Sequence, residues 1–124
     1  MPSSVTQTLP RASRVRTRGE FLSIQRTGKR LGTRHFLLMH RLGAAPAARL
    51  GITVTRKIGG AVTRNHVKRA VREAFRRTRT DLPVGLDLVV IARDGSGRLA
   101  TKQIVEELDA ALATLAAEKG GLGE

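Results

Sequence analysis

The chain has no cysteine, tryptophan or tyrosine, and its only aromatic residues are Phe21, Phe36 and Phe75. Without cysteine there is no disulfide and no thiolate metal site, a usage that agrees with a reducing cytoplasm. Three phenyl rings are too few for a broad platform on which nucleobases stack. Long apolar runs are missing as well, so nothing is expected to span a bilayer, and the start, MPSSVTQTLPRAS, lacks the apolar core of a secretion signal. These absences lead to the expectation of a cytoplasmic protein with no membrane partner.

Acidic residues are scarce where bases abound. The 124 residues carry 23 Lys and Arg against 10 Asp and Glu, for a net charge of +13 and a pI near 11.8. From Met1 to Arg79 there are 19 bases and 2 acids, whereas Thr80 to Glu124 holds 4 bases and 8 acids. Such an excess is far beyond what solubility requires and points to a polyanion, met by the first two thirds of the chain. The length suits one domain with a modest core. Residues 1–10, rich in Ser, Thr and Pro, are expected to be a disordered tail, 11–119 a single RNA-binding domain, and 120–124 a frayed end.

Hydrophobic periodicity outlines the elements. Glu20 to Gln25 suits a short helix that Gly28 ends. HFLLMH, residues 35–40, is a short apolar run that suits a strand, and a break follows at Gly43–Ala48 with Pro46. Leu50, Ile52 and Val54 then alternate with Gly51, Thr53 and Thr55, so a second strand is expected, paired with the first as an antiparallel hairpin. Leu86 to Ile91 makes a third strand, and Thr101 is a candidate cap for a last helix bearing Ile104, Leu108, Leu112 and Leu115. The order α-β-β-α-β-α predicts a two-layer α/β (α+β) sandwich with helices against a small, mainly antiparallel sheet.

The segment Arg64–Arg79, RNHVKRAVREAFRRTR, is the most informative. At 100° per residue Val67, Ala70, Val71, Ala74, Phe75 and Thr78 share one arc, and Asn65, Lys68, Arg69, Arg72, Arg76 and Arg79 crowd an adjacent one. Seven bases surround one acid, Glu73. Cations this close repel one another unless water, salt or a phosphate backbone screens them. Arg56 and Lys57 precede the helix, and Gly59–Gly60 permits a sharp entry whose free N–H groups also attract phosphate.

TRKIGGAVTRNHVKRAVREAFR closely resembles the signature of the bacterial ribonuclease P protein subunit, in which a glycine-containing turn leads into R-N-R-x-x-K-R-x-x-R-E-x-F-R. Arg64, Asn65, Lys68, Arg69, Arg72, Glu73, Phe75 and Arg76 all match. EFLSIQRTGKR, RHFLLM, RLGITVTRKI and IAR resemble the family's first helix and its strands. The resemblance implies a ribosomal-protein-S5-like fold with a left-handed βαβ crossover, a hand that runs against the general preference. It also implies an accessory subunit of a ribonucleoprotein endonuclease: a large RNA carries the active site and Mg2+, and the protein grips that RNA and the 5′ leader of precursor tRNA. On that basis Arg56, Lys57, Arg64, Asn65, His66, Lys68, Arg69, Arg72 and Arg76 are the expected RNA contacts. Phe21, Arg34, Phe36 and Met39 are the expected leader contacts. His66 replaces the signature's usual Arg, and Gln25 and Met39 stand where relatives often carry Phe and Tyr, which weakens base stacking in the leader cleft.

No catalytic or metal-binding side chain is expected from the protein itself. His35, His40 and His66 are not arranged with carboxylates as a metal site needs, and Gly59–Gly60 lacks the rest of a phosphate loop. A structural RNA-binding protein of ribosomal type is the main alternative, since composition does not separate it from a subunit that promotes cleavage. A DNA reader is not expected, because no short helix-turn-helix partner precedes the basic helix.

Overall fold

A computed structural model of the chain describes residues 14–15, 17–43 and 47–122. The expected tail 1–10 and the tip of the 44–46 break lie outside the described residues. The elements are α1 (Arg18–Thr27), β1 (Lys29–Gly32), β2 (Phe36–Leu42), β3 (Arg49–Thr53), α2 (Ala61–Thr78), β4 (Leu86–Ala92) and α3 (Thr101–Leu122), with short 3-10 turns at Arg79–Asp81 and Ser96–Arg98.

The four strands form one mixed sheet in the order β1-β2-β4-β3. β2 runs antiparallel to β1 and β4, whereas β3 runs parallel to β4. The expected hairpin of β2 with β3 is therefore incorrect: β4 lies between them. Burial explains the order, because β4 (LDLVVIA) is covered along nearly its whole length and takes an interior place, while the alternating β3 and the charged β1 serve as edges. β1, with the sequence KRLG, carries almost no apolar signal and was not expected at all. α2 joins β3 to β4 as the connection of a parallel pair, as a βαβ unit requires.

The pleat sorts the side chains. Cross-strand partners Leu31, Leu38, Val90 and Ile52 share one face, as do Leu88 and Leu50, and this face is closed by α2 and α3. Val67, Ala70, Val71, Ala74 and Phe75 of α2 are buried there, as the periodicity requires, with Ile104, Leu108, Leu112 and Leu115 of α3. The other face carries Leu37, Met39, Val89, Ile91 and Gly51, and among the described residues α1, through Ile24 and Phe21, and Val15 pack on it. α3 begins at Thr101, so that residue is the first helical position rather than the cap, and Gln103 Oε1 accepts from the Ala100 N–H at 2.8 Å. The helix continues to Leu122, into the stretch expected to fray.

Candidate nucleic-acid interface

α2 starts at Gly60 without a side-chain cap, and its apolar arc pins it to the sheet. Asn65, Arg69, Arg72 and Arg76, at steps of four, three and four residues, run along the helix as one stripe. The stripe borders a groove of about 470 Å³ closed on its far side by Thr101 of α3. Glu73 is occupied by Arg76, both of its oxygens lying 2.9 Å from one guanidinium nitrogen, and Arg77 lies 3.8 Å from Asp109. Among the described residues no carboxylate pairs with Arg64, Lys68, Arg69 or Arg72. Burial, then the neighbouring charges of Arg14 and Arg69, lowers the Arg72 pKa from its ordinary value. A guanidinium remains protonated at neutral pH even so.

His66 is half-exposed and also ties two elements together. Its Nε2–H donates to the Leu99 carbonyl at 2.8 Å, tying the start of α2 to the turn before α3. That ring nitrogen is committed to the protein, while the half-exposed ring also borders an open groove with Asn65 and Arg69, so His66 both holds the basic helix in place and stays among the expected RNA contacts.

Beside α2, α1 stands over the sheet. Its first turn is fixed by a capping box, in which Glu20 N–H donates to Thr17 Oγ1 at 3.1 Å and Thr17 N–H to Glu20 Oε1 at 3.3 Å. Glu20 also meets Arg49 at 2.9 Å, and Arg49 donates through Nε to the buried Asp87 at 2.9 Å. The hydrogen bonds to Asp87 first, and to Glu20 second, raise the Arg49 pKa. Arg41, 3.5 Å from Asp87, completes the attachment by donating to Ser23 Oγ at 2.6 Å and Thr27 Oγ1 at 3.0 Å. Held this way, the Phe21 ring lies against the backbone of Gly51, so closely that a Cβ there would come within 2.8 Å of it. Arg18, Phe21, Leu22 and Gln25 of α1, Thr53 of β3 and Lys68 of α2 surround an open cleft. Gln25 thus stands in the cleft wall, as its place in the sequence suggests.

At the end of the sheet where Leu37, Ile91 and Thr53 form a half-exposed row, turns bring exposed cations: Arg34 between β1 and β2, and Arg56 and Lys57 between β3 and α2. Arg93, which the sequence reading missed, joins them and donates to the Thr33 carbonyl at 3.2 Å. Its only signal was its place directly after an apolar strand. The Arg34 turn is clamped from below by Glu107 of α3, which accepts from Thr33 Oγ1 at 2.6 Å, the His35 N–H at 2.7 Å and His35 Nδ1 at 2.8 Å. Burial alone would raise the Glu107 carboxyl, but the bonds from Thr33 and His35 outweigh it and hold the pKa below its ordinary value.

Two expected leader contacts do not reach the cleft. Phe36 is fully buried on the opposite face, in the α2–α3 core, because its position in β2 points the other way from Leu37. Met39 faces α1 but lies beneath it with Ile24 and Val89. Both are packing residues.

Among the described residues no group of three or more His, Asp or Glu could hold a metal ion, and no helix is long and apolar enough to cross a membrane.

Comparison with known proteins agrees with this geometry. The model of the family described as Ribonuclease P matches residues 9–116. The ribonuclease P protein component of Oleidesulfovibrio alaskensis is 44% identical over 87 residues, covering 68% of this chain and 70% of that protein. The solved RNase P protein of Staphylococcus aureus superposes with a TM-score of 0.75 at 31% identity, over 84% of this chain and 94% of that one. That of Thermotoga maritima gives 0.72 at 40% identity, over 80% and 94%.

Proposed function

The chain belongs to the ribonuclease P protein family, and from this we propose that it serves its ribonucleoprotein by binding the catalytic RNA along the cationic side of α2 and the single-stranded 5′ leader of precursor tRNA in the cleft beside α1. As the protein subunit of an endoribonuclease it supplies position and charge rather than bond-breaking groups. The observation that carries this reading is the continuity of the two surfaces: Arg72 borders the α2–α3 groove and, with Lys68, also the Phe21 depression. One helix thus presents cations both to an RNA lying along its stripe and to a strand in the cleft.

Neutralising phosphates lets two RNAs approach, and a substrate held in register reacts as if at high local concentration. Arg56, Lys57, Arg64, Asn65, His66, Lys68, Arg69, Arg72 and Arg76 are assigned to RNA binding, with Phe21 and Arg34 on the leader side. Mg2+ is assigned to the RNA subunit and the substrate. In support, Asp87, Glu107 and Glu73 are already engaged by arginines or by the Thr33–His35 turn. Seating the substrate correctly would complete the RNA's metal sites and so lower the Mg2+ concentration required.

Reconstitution tests the assignment. Purified chain added to ribonuclease P RNA at limiting Mg2+ is expected to restore 5′ processing of precursor tRNA, with tighter binding of substrates that carry a leader. Processing no better than with an unrelated basic protein would reject it in favour of a purely structural RNA-binding role.

A further inference from the structure

We propose that Arg14, Lys68 and Arg72 form a seat for a single internucleotide phosphate of the bound strand, set beside the Phe21 ring on which the adjoining base lies. The inference rests on the cleft reading above and adds to it a residue and a subsite.

Arg14 lies outside every regular element, yet its backbone is fixed. It bridges to Leu50 in parallel register, and the next residue's N–H, on Val15, donates to the Leu50 carbonyl at 2.9 Å. Val15 is buried against Ile24, Met39 and Val89, so the exposed Arg14 side chain starts from an anchored point on the outer edge of β3. Lys68 and Arg72 approach from α2, one turn apart. Together with Phe21 and Gly51 the three cations border a depression of about 160 Å³, room for a phosphate group and a few waters at roughly 30 Å³ per water.

Charge is what makes this depression a site. Among the described residues none of the three cations has a carboxylate partner, and Glu20, the nearest acid in sequence to Phe21, is engaged by Arg49 and Thr17. Arg72 is half-buried, and the first two causes of its lowered pKa are that burial and the charge of Arg14. The protein thus brings guanidinium groups together and returns no anion to them. A phosphodiester would relieve the repulsion and accept charge-assisted hydrogen bonds from both arginines. The half-exposed Phe21 ring, packed against Gly51, offers the sequence-independent stacking that single-strand binding uses.

The test uses the reconstituted holoenzyme and precursor tRNAs bearing an uncharged methylphosphonate at one leader linkage at a time. Wild-type protein is expected to lose roughly tenfold in affinity at one linkage, as for a charged hydrogen bond. Arg14→Ala should lose the same factor with unmodified substrate and be indifferent to that linkage, with a salt slope smaller by about 0.7. Arg14→Lys should recover most of the loss, and the unfolding midpoint should not move, because Val15 carries the packing. If Arg14→Ala binds like wild type, or its loss merely adds to that of every modified linkage, the seat is overturned. Phe21→Ala separates the two ideas. Should it abolish the preference for leader-bearing substrate while Arg14→Ala binds like wild type, only the seat falls; should it leave the preference intact, the cleft reading falls with the seat.

Discussion

Toward α2 and α3 the sheet is sealed by an unbroken apolar core running from Phe36 to Leu115, whereas toward α1 the buried apolar cluster among the described residues is just Val15, Ile24, Met39 and Val89, and a network of charges does much of the joining. The first arrangement gains stability in proportion to apolar area removed from water. The second gains little from area and leaves Leu37, Ile91 and Phe21 half-open. A face closed by two helices cannot admit a ligand, and a face crossed by one short helix can. The lesson is that the same sheet divides its labour: one side holds the fold, and the other, with the cationic flank of α2 at its margin, is left open for the RNA binding proposed above.

Substitutions that strike one face and spare the other sharpen this division. The largest effect is expected from Phe75→Ala, which empties a fully buried site in the closed core and should cost about 3–5 kcal/mol in urea unfolding; RNA affinity of the remaining folded protein should change little. Next comes Arg49→Ala, which leaves Asp87, only 2% exposed, with Arg41 alone. Roughly 2–3 kcal/mol of stability is expected to go, less than a fully orphaned buried charge would cost, and binding of leader-bearing substrate should weaken as α1 loosens. Gly51→Ala should cost only about 1–2 kcal/mol in stability. The added methyl collides with the Phe21 ring, so the preference for substrates with a leader should fall roughly tenfold, within the range of one base stack. An unchanged preference would mean that Phe21 is core and nothing more.

The smallest effect concerns pH. The Glu107 carboxyl has a lower pKa folded than unfolded, so its contribution is present above the unfolded value of about 4.3 and is lost as pH falls through the folded one. Stability of wild type measured between pH 6 and 3 should drop more steeply than that of Glu107→Gln. Parallel curves would show that the clamp on the Arg34 turn is not electrostatic.

Much of this was legible before any coordinates. The period of α2 alone identified Val67, Ala70, Val71, Ala74 and Phe75 as part of the packed arc and Asn65, Lys68, Arg69, Arg72, Arg76 and Arg79 as the adjacent, mostly basic one, because helical geometry converts spacing directly into direction. Strand pairing was not legible in the same way. Alternation in β3 says that one side faces inward but not which neighbour it joins, and that was decided by β4, whose burial on both faces claims the interior of the sheet. β1 escaped notice because its edge position tolerates Lys29 and Arg30. For Phe36 the difficulty was one of parity: a strand residue one position off lies on the opposite face, and the resemblance to the family does not say which face that residue meets. Arg14 and Arg93 stood outside the periodic segments, so only three-dimensional proximity reveals them.

The central claim, that unpaired cations on α2 meet RNA phosphates, is tested most directly by the salt dependence of binding to ribonuclease P RNA for wild type and for Arg69→Ala/Arg72→Ala. Loss of two phosphate contacts should reduce the slope of log affinity against log salt by about 1.4 to 1.8. A double variant with the wild-type slope would contradict it.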